Sequence, residues 1–434
     1  MQILKTGSTG AEVALLQLSL RRAQYGAPAP DGVFGGATKS ALQAFQRTHG
    51  LTPDGIFGAE TERALAPWLR GYAVHTVRPG DTLFSLAERY DASLGAIETA
   101  NPALDPFALR PGQRITVPLP FSVVPTDIPW CSALMDCAVD GLTHRYPQLR
   151  AESIGRSALS RPIWALTAGD GLRRVLYSAA HHANEWITTP LLMKYLETLL
   201  RAAAAGETVF GYPAEDILFR AALTLVPLVD PDGVDLVTGA LPEGEAKERT
   251  AVIAAAFPAI PYPDGWKATI AGIDLNLQYP AGWDTARAIK FAQGYDRPAP
   301  RDFVGEAPLT APEAAALAAF TEALDPALVL AYHTQGNVIY WKYLNFEPEG
   351  SRALAERFAA VSGYVCEDTP YASGFAGYKD WFIQDFDRPG YTIEAGEGEN
   401  PLPLAQLPEI VRDNLPIFLL GMTGAIPEMG LWRG

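Results

Sequence analysis

Four short apolar runs between residues 130 and 434 each give way to acidic or imidazole side chains, and this pattern limits the fold more than any other. RRVLYSAA (173–180) runs into His181, His182 and Glu185. LTLVPLV (223–229) runs into Asp230-Pro-Asp-Gly, and ALVLAY (327–332) into His333. GYTIEA (390–395) carries Glu394 near its end. Such runs read as buried strands, and the stretches between them have helical spacing. The expected fold is an α/β domain with a mixed, mostly parallel sheet flanked by helices. Ligands of such sheets collect beyond the carboxyl ends of the strands. The histidine and glutamate clusters are therefore expected to face one crevice.

The chain has only six histidines in 434 residues. A strand-end histidine, taken alone, is more often a structural residue satisfied by its neighbours than a ligand. Together, His182, Glu185 and His333 form the two-histidine, one-carboxylate set that zinc favours in catalytic sites, where a fourth position stays open. One zinc ion is the implied cofactor. Such an ion lowers the pKa of bound water to ~7 and polarises a carbonyl. Glu394 remains as the carboxylate that takes the proton.

Before residue 130 the pattern is different. PDGVFGGATKSALQAFQ (30–46) returns as PDGIFGAETERALAPWL (53–69). In each copy Asp-Gly makes a tight turn, Phe34 or Phe57 anchors it, and Thr38 or Thr61 sits where a helix begins. With the helical stretch 11–23, this predicts a small helical bundle over residues 1–70. The repeat and GSTGAEVALLQ resemble the peptidoglycan-binding-domain family. Residues 73–119 read as strand, helix, helix, strand, with Asp81 and Thr82 opening the first helix. Pro-Gly-Asp-Thr-Leu and Leu-Arg-Pro-Gly-Gln in these places resemble a LysM domain, a family that binds N-acetylglucosamine-containing glycans. The proline-rich segment 120–129 reads as a linker to the domain at 130–434.

A formal net charge of −15 argues against nucleic acid as a partner, because phosphate backbones repel an acidic chain. No apolar run is long enough to span a bilayer. No signal peptide is visible in MQILKTGSTG, so the export route is open: another pathway, a leader already removed, or release on lysis. Cys131, Cys137 and Cys366 are too few and scattered for a disulfide framework and read as free thiols.

HHANEWITTP, VDPDGV, GIDLNLQYP, YHTQG, YASGFAGYKDW and YTIEAGEGENP follow one another in the order expected of zinc carboxypeptidases of the carboxypeptidase A type. The resemblance covers about 130 to 430, in particular to the branch containing bacterial γ-D-glutamyl-L-diamino acid endopeptidases. It implies that His182, Glu185 and His333 hold the metal, that Glu394 is the catalytic glutamate and that Asp274 orients His182. His181 is then the extra histidine, either structural or supporting the metal ligands from behind. Lys267 stands where the family has an arginine that stabilises the oxyanion, which keeps the charge but loses the fork. Asn276 is kept, but Leu277 replaces the arginine that grips a C-terminal carboxylate. Lys379 falls at the specificity pocket. Tyr371 matches the mobile active-site tyrosine, with Tyr378 as its rival. Lys379 or Arg388 is expected to meet substrate carboxylates.

The function these readings imply is a peptidoglycan hydrolase. It would cleave the γ-D-glutamyl bond to meso-diaminopimelate in stem peptides, at the cell wall, outside the cell or in the spore envelope. The alternatives are a carboxypeptidase trimming ordinary peptides and a non-catalytic wall-binding protein with a peptidase fold.

Overall fold

A computed structural model describes residues 3–424; residues 1–2 and 425–434, at the outer ends of the first and last expected segments, lie outside the described residues. Helices Ala11–Arg22, Gly36–Thr48 and Ala59–Arg70 pack around Leu16, Leu20, Phe34, Leu42, Phe45 and Leu65. The sequence repeat has a physical meaning here. The Gln17 amide donates to Asp31, to the Val33 carbonyl and to Thr38, while its oxygen accepts from Gly32 N–H. Gln46 does the same with Asp54, Ile56, Thr61 and Gly55. Each Asp-Gly turn is thus tied to the preceding helix by one buried glutamine. Thr38 and Thr61 are the acceptors inside each tie, and the residues capping the two helices are Gly35 and Gly58.

Strands β1 (Tyr72–Thr76) and β2 (Arg114–Pro118) pair antiparallel, and helices Leu83–Tyr90 and Leu94–Ala100 lie between them in sequence. Thr82 and Ser85 form a reciprocal capping box at the first helix. The segment after β2 has neither helix nor strand, as expected of a linker, and it is packed against its neighbours. Val123, Val124 and Ile128 are each about 1% exposed. The Glu197 carboxylate accepts from the N–H groups of Val123 and Val124. Arg22 donates to the carbonyls of Ser122 and Val123, and Arg145 to those of Gly71 and Leu119.

The remaining strands are β3 (Arg150–Arg156), β4 (Pro162–Ala168), β5 (Arg173–Ala179), the short hairpin β6 (Thr208–Val209) and β7 (Tyr212–Pro213), β8 (Ala221–Val226), β9 (Leu328–His333), β10 (Val338–Tyr340), β11 (Val365–Glu367) and β12 (Gly390–Glu394). Eight of them form one sheet in the order β11-β10-β12-β9-β5-β8-β4-β3. Its centre, β12-β9-β5-β8, is parallel. Alternate residues serve opposite faces. Val175, Tyr177, Leu328 and Leu330 join a core with helices Ser132–Arg145, Thr188–Ala204 and Leu407–Thr423. Leu176, Val329 and Ala331 join a second core with helices Trp283–Ala292, Pro312–Leu324 and Tyr378–Phe386. Both faces are covered, so the central strands read as continuous apolar runs.

One buried acid pair flanks this sheet. Asp230 caps the helix Pro231–Val237 by accepting from Gly233 N–H. Its other oxygen, and Oε2 of the fully buried Glu313, have no partner among the described residues. Burial pushes both carboxyls up, Glu313 to about 7. A raised folded pKa stabilises the fold fully below the unfolded value of 4.5, and that contribution is lost as pH rises through 7. Its full size is about 3 kcal/mol. Glu313→Gln stays neutral throughout, so its Tm is expected to exceed that of wild type at pH 8 and to converge with it at pH 5. Parallel Tm curves for the two proteins across this range would contradict the assignment.

Candidate active site

The C-terminal ends of β5, β9 and β12 lie side by side, and His333 pairs with Glu394 across the β9–β12 ladder. After β5 the chain turns through His181 and His182 into a short 3-10 turn, Ala183–Glu185. Thr188, opening the next helix, donates to the Glu185 carbonyl and accepts from Ala180 N–H, which fixes this turn. Ala183 N–H donates to the Lys267 carbonyl and brings that distant loop alongside. Asp274 caps a second short turn, Leu275–Leu277.

Donor atoms of His182, Glu185 and His333 lie within 4.8 Å of one another, and all three residues are buried. His182 Nδ1 is 2.9 Å from Glu185 Oε1 and 3.2 Å from His333 Nδ1. His333 Nδ1 is 2.9 Å from Glu185 Oε2. Asp274 stands 3.1 Å from His182 Nε2, and ionised it can only accept, so Nε2 carries the proton. The Nδ1 lone pair of the neutral ring then faces the Glu185 carboxylate and a second imidazole. Three electron-pair donors sharing one focus fit a cation held between them. Asp274 also accepts from the N–H groups of Asn276 and Asp302, which fixes its orientation behind His182.

Electrostatics around the cluster follow from burial and charge together. Burial opposes charge on His182, but Glu185 and Asp274 outweigh it and lift this imidazole to about 9, so without a cation Nδ1 holds a proton that a bound metal would displace. Burial also works against ionised Glu185, yet His182, Lys267 and His333 hold it well below the usual carboxylate range. Lys267 Nζ lies 3.0 Å from Glu185 Oε1 and stays protonated, since Glu185 and Asp274 overcome its desolvation. Glu394 is pushed up to about 8 by burial and by the charge of Glu185. His181 is buried and neutral, with Nε2 3.3 Å from the Tyr279 hydroxyl and its ring stacked on His333.

Two clefts meet at Glu394. One, of about 230 Å³, is lined by His182, Asp274, Asn276, Leu277 and Lys379 among others. The other, of about 750 Å³, is lined by Asn184, Ile260, Thr334, Gln335 and Asn400 among others. Lys267, Arg301, Tyr340 and Glu394 belong to both. Of the expected substrate residues, Asn276 accepts from Tyr378 N–H at 3.0 Å and borders the smaller cleft. Lys379 borders it too, but its ammonium is tied to Asp380 and to the Lys342 carbonyl. Tyr371 is 70% exposed, on the same loop as the lining residues Thr369 and Ser373.

Two expectations do not hold. Tyr378 is fully buried, and its hydroxyl bonds Thr321, so it is a core tyrosine. Arg388 precedes β12 at the end opposite Glu394 and is bound to Asp325 and the Pro326 carbonyl. Six residues of extended chain, about 20 Å, separate it from Glu394. Arg301 and Tyr340 went unnoticed in the sequence. Tyr340 faces Thr392 across β10–β12 and so shares a face with Glu394, two residues on.

A mostly parallel sheet carrying a two-histidine, one-glutamate cluster at its strand ends defines a zinc-peptidase architecture. The chain belongs to the zinc carboxypeptidase family, whose pattern matches residues 135–417. It is a zinc metallopeptidase with a zinc cofactor. A peptidoglycan binding domain matches residues 9–65 and a LysM domain residues 75–118, so the chain also carries wall-binding modules. It is 42% identical over 398 residues to gamma-D-glutamyl-L-diamino acid endopeptidase 1 of Lysinibacillus sphaericus, covering 80% of this chain and 98% of that one. An uncharacterised protein of Bacillus subtilis is 38% identical over 61% of this chain and 69% of its own length. The carboxypeptidase A structure from Helicoverpa armigera shares the fold at a TM-score of 0.53 and 15% identity, over 89% of this chain and 86% of that one. No helix among the described residues is long and apolar enough to cross a membrane.

Proposed function

We propose that this protein hydrolyses the bond between the γ-carboxyl of D-glutamate and the L-centre of a diamino acid in peptidoglycan stem peptides. The observation that carries this reading is the wall of the smaller cleft at Leu277, where an apolar side chain lines the space beside Asn276. Leucine cannot pair with a C-terminal carboxylate, so the cleft has no terminus-gripping fork at this position. Because the larger cleft adjoins the smaller one at Lys267, Arg301, Tyr340 and Glu394, a substrate has room to extend beyond the smaller cleft.

His182, Glu185 and His333 would hold the zinc ion. Bound there, zinc supplies a Lewis acid that polarises the scissile carbonyl and acidifies water. Asp274 keeps the His182 proton on Nε2 and leaves Nδ1 free to ligate. Glu394 takes a proton from the attacking water. Lys267 places its ammonium near the developing oxyanion. Glu394 then hands the proton to the departing amine as the C–N bond breaks, releasing the γ-carboxylate and a free amino group on the diamino acid. The two N-terminal modules hold N-acetylglucosamine-containing glycan and raise the local concentration of stem peptide.

Mass spectrometry of muropeptides incubated with the purified protein, with and without a chelator, tests this. The expected products are L-Ala-γ-D-Glu and a diaminopimelate with a new free amine, both absent when chelator is present. Loss of C-terminal residues alone would replace this reading with the carboxypeptidase one.

A further inference from the structure

We infer that Arg301 binds the α-carboxylate of the γ-linked D-glutamate and so selects a γ-glutamyl acyl group over an ordinary α-peptide. The inference rests on the function proposed above and names a specificity residue for it. Four cations line the two clefts: Lys267, Lys290, Arg301 and Lys379. Three are committed. Lys267 lies against Glu185, Lys290 is bound to Asp302, and Lys379 is bound to Asp380 and the Lys342 carbonyl. Arg301 uses only Nε, donating to Asp302 Oδ2 at 2.7 Å. That carboxylate is already shared with Lys290, so it does not neutralise both cations. The Arg301 side chain is 44% exposed, and its two terminal nitrogens make no hydrogen bond among the described residues. They are free to grip one carboxylate with both arms.

Position decides which carboxylate. Asn276, Leu277 and Lys379 border the smaller cleft only, whereas Arg301 borders both clefts, with Lys267 and Glu394. Its partner must therefore lie a few bonds from the reacting carbonyl, and the acyl group of the proposed substrate offers one there. A γ-linked glutamate places its α-carboxylate on the third carbon from that carbonyl. The backbone of an α-linked peptide offers an amide there, and a fixed negative charge stands at that distance only where the residue is itself glutamate.

The test compares two synthetic stem peptides, one with γ-D-glutamate and one with its α-amide, D-isoglutamine, using the full chain as wild type, Arg301→Gln and Arg301→Lys. Zinc content and Tm are measured on each protein. Wild type is expected to prefer the acid by about 10- to 100-fold in kcat/KM, the worth of one hydrogen bond to a charged group. Arg301→Gln is expected to lose that factor on the acid, mainly through KM, and to change little on the amide. Arg301→Lys is expected to recover part of the preference. Equal losses on both substrates, or indifference of wild type to amidation, would overturn the inference. So would a preference that follows amidation of the diamino acid. If wild type cleaves neither peptide but trims C-terminal residues, the proposed function falls with it.

Discussion

Glu394→Gln is expected to lower kcat by about 10³-fold while zinc stays bound at one ion per chain. The exchange keeps size and shape and removes only the ability to take and return a proton. Glu394 is not among the three residues whose donor atoms converge, so the metal should be indifferent to it. Stability should not suffer either. Glutamine fills the same buried space and spares the fold a charge next to the Glu185 carboxylate. The combination is diagnostic: activity collapses while zinc content and Tm hold. A loss below 10-fold would mean that another group moves the proton.

The second large effect is expected from His333→Ala, which should abolish zinc retention and activity together. His333 supplies the only donor of the cluster that comes from β9; the other two sit on one turn after β5. A metal bound at a thousand times its Kd adds about 4 kcal/mol to stability. Wild type should therefore lose Tm when a chelator is added, and His333→Ala should not respond. Asp274→Ala offers a graded comparison, with metal affinity falling by about 10- to 100-fold because His182 loses its orienting carboxylate. Calorimetry with and without chelator reads all three proteins, and an unchanged chelator response in His333→Ala would remove this residue from the site.

Much of this site was legible because chemistry and periodicity coincide at the ends of parallel strands. His182, Glu185, His333 and Glu394 each follow or end an apolar run, and the sheet order brings those runs together. The misreadings have physical causes. Arg388 is close to Glu394 in sequence, but an extended strand carries neighbours apart at about 3.3 Å per residue. Tyr378 and Tyr371 lie on one segment, and only packing reveals that the first points into a core with Tyr279 and Trp381. Arg301 comes from a loop between two helices, with no periodic signal, and its importance depends on which neighbouring cations are already paired. Prolines mark 120–129 as a linker, and the apolar residues among them, Val123, Val124 and Ile128, pack it down.

That packed connector changes what kind of tool the molecule is. A free tether of ten residues would let a catalytic head wander by about 17 Å around its anchor. Here Arg22, Arg145 and Glu197 each bond to the backbone of the connecting segment. The handle and the blade meet through a packed, hydrogen-bonded seam, which couples where the chain grips the wall to where it cuts.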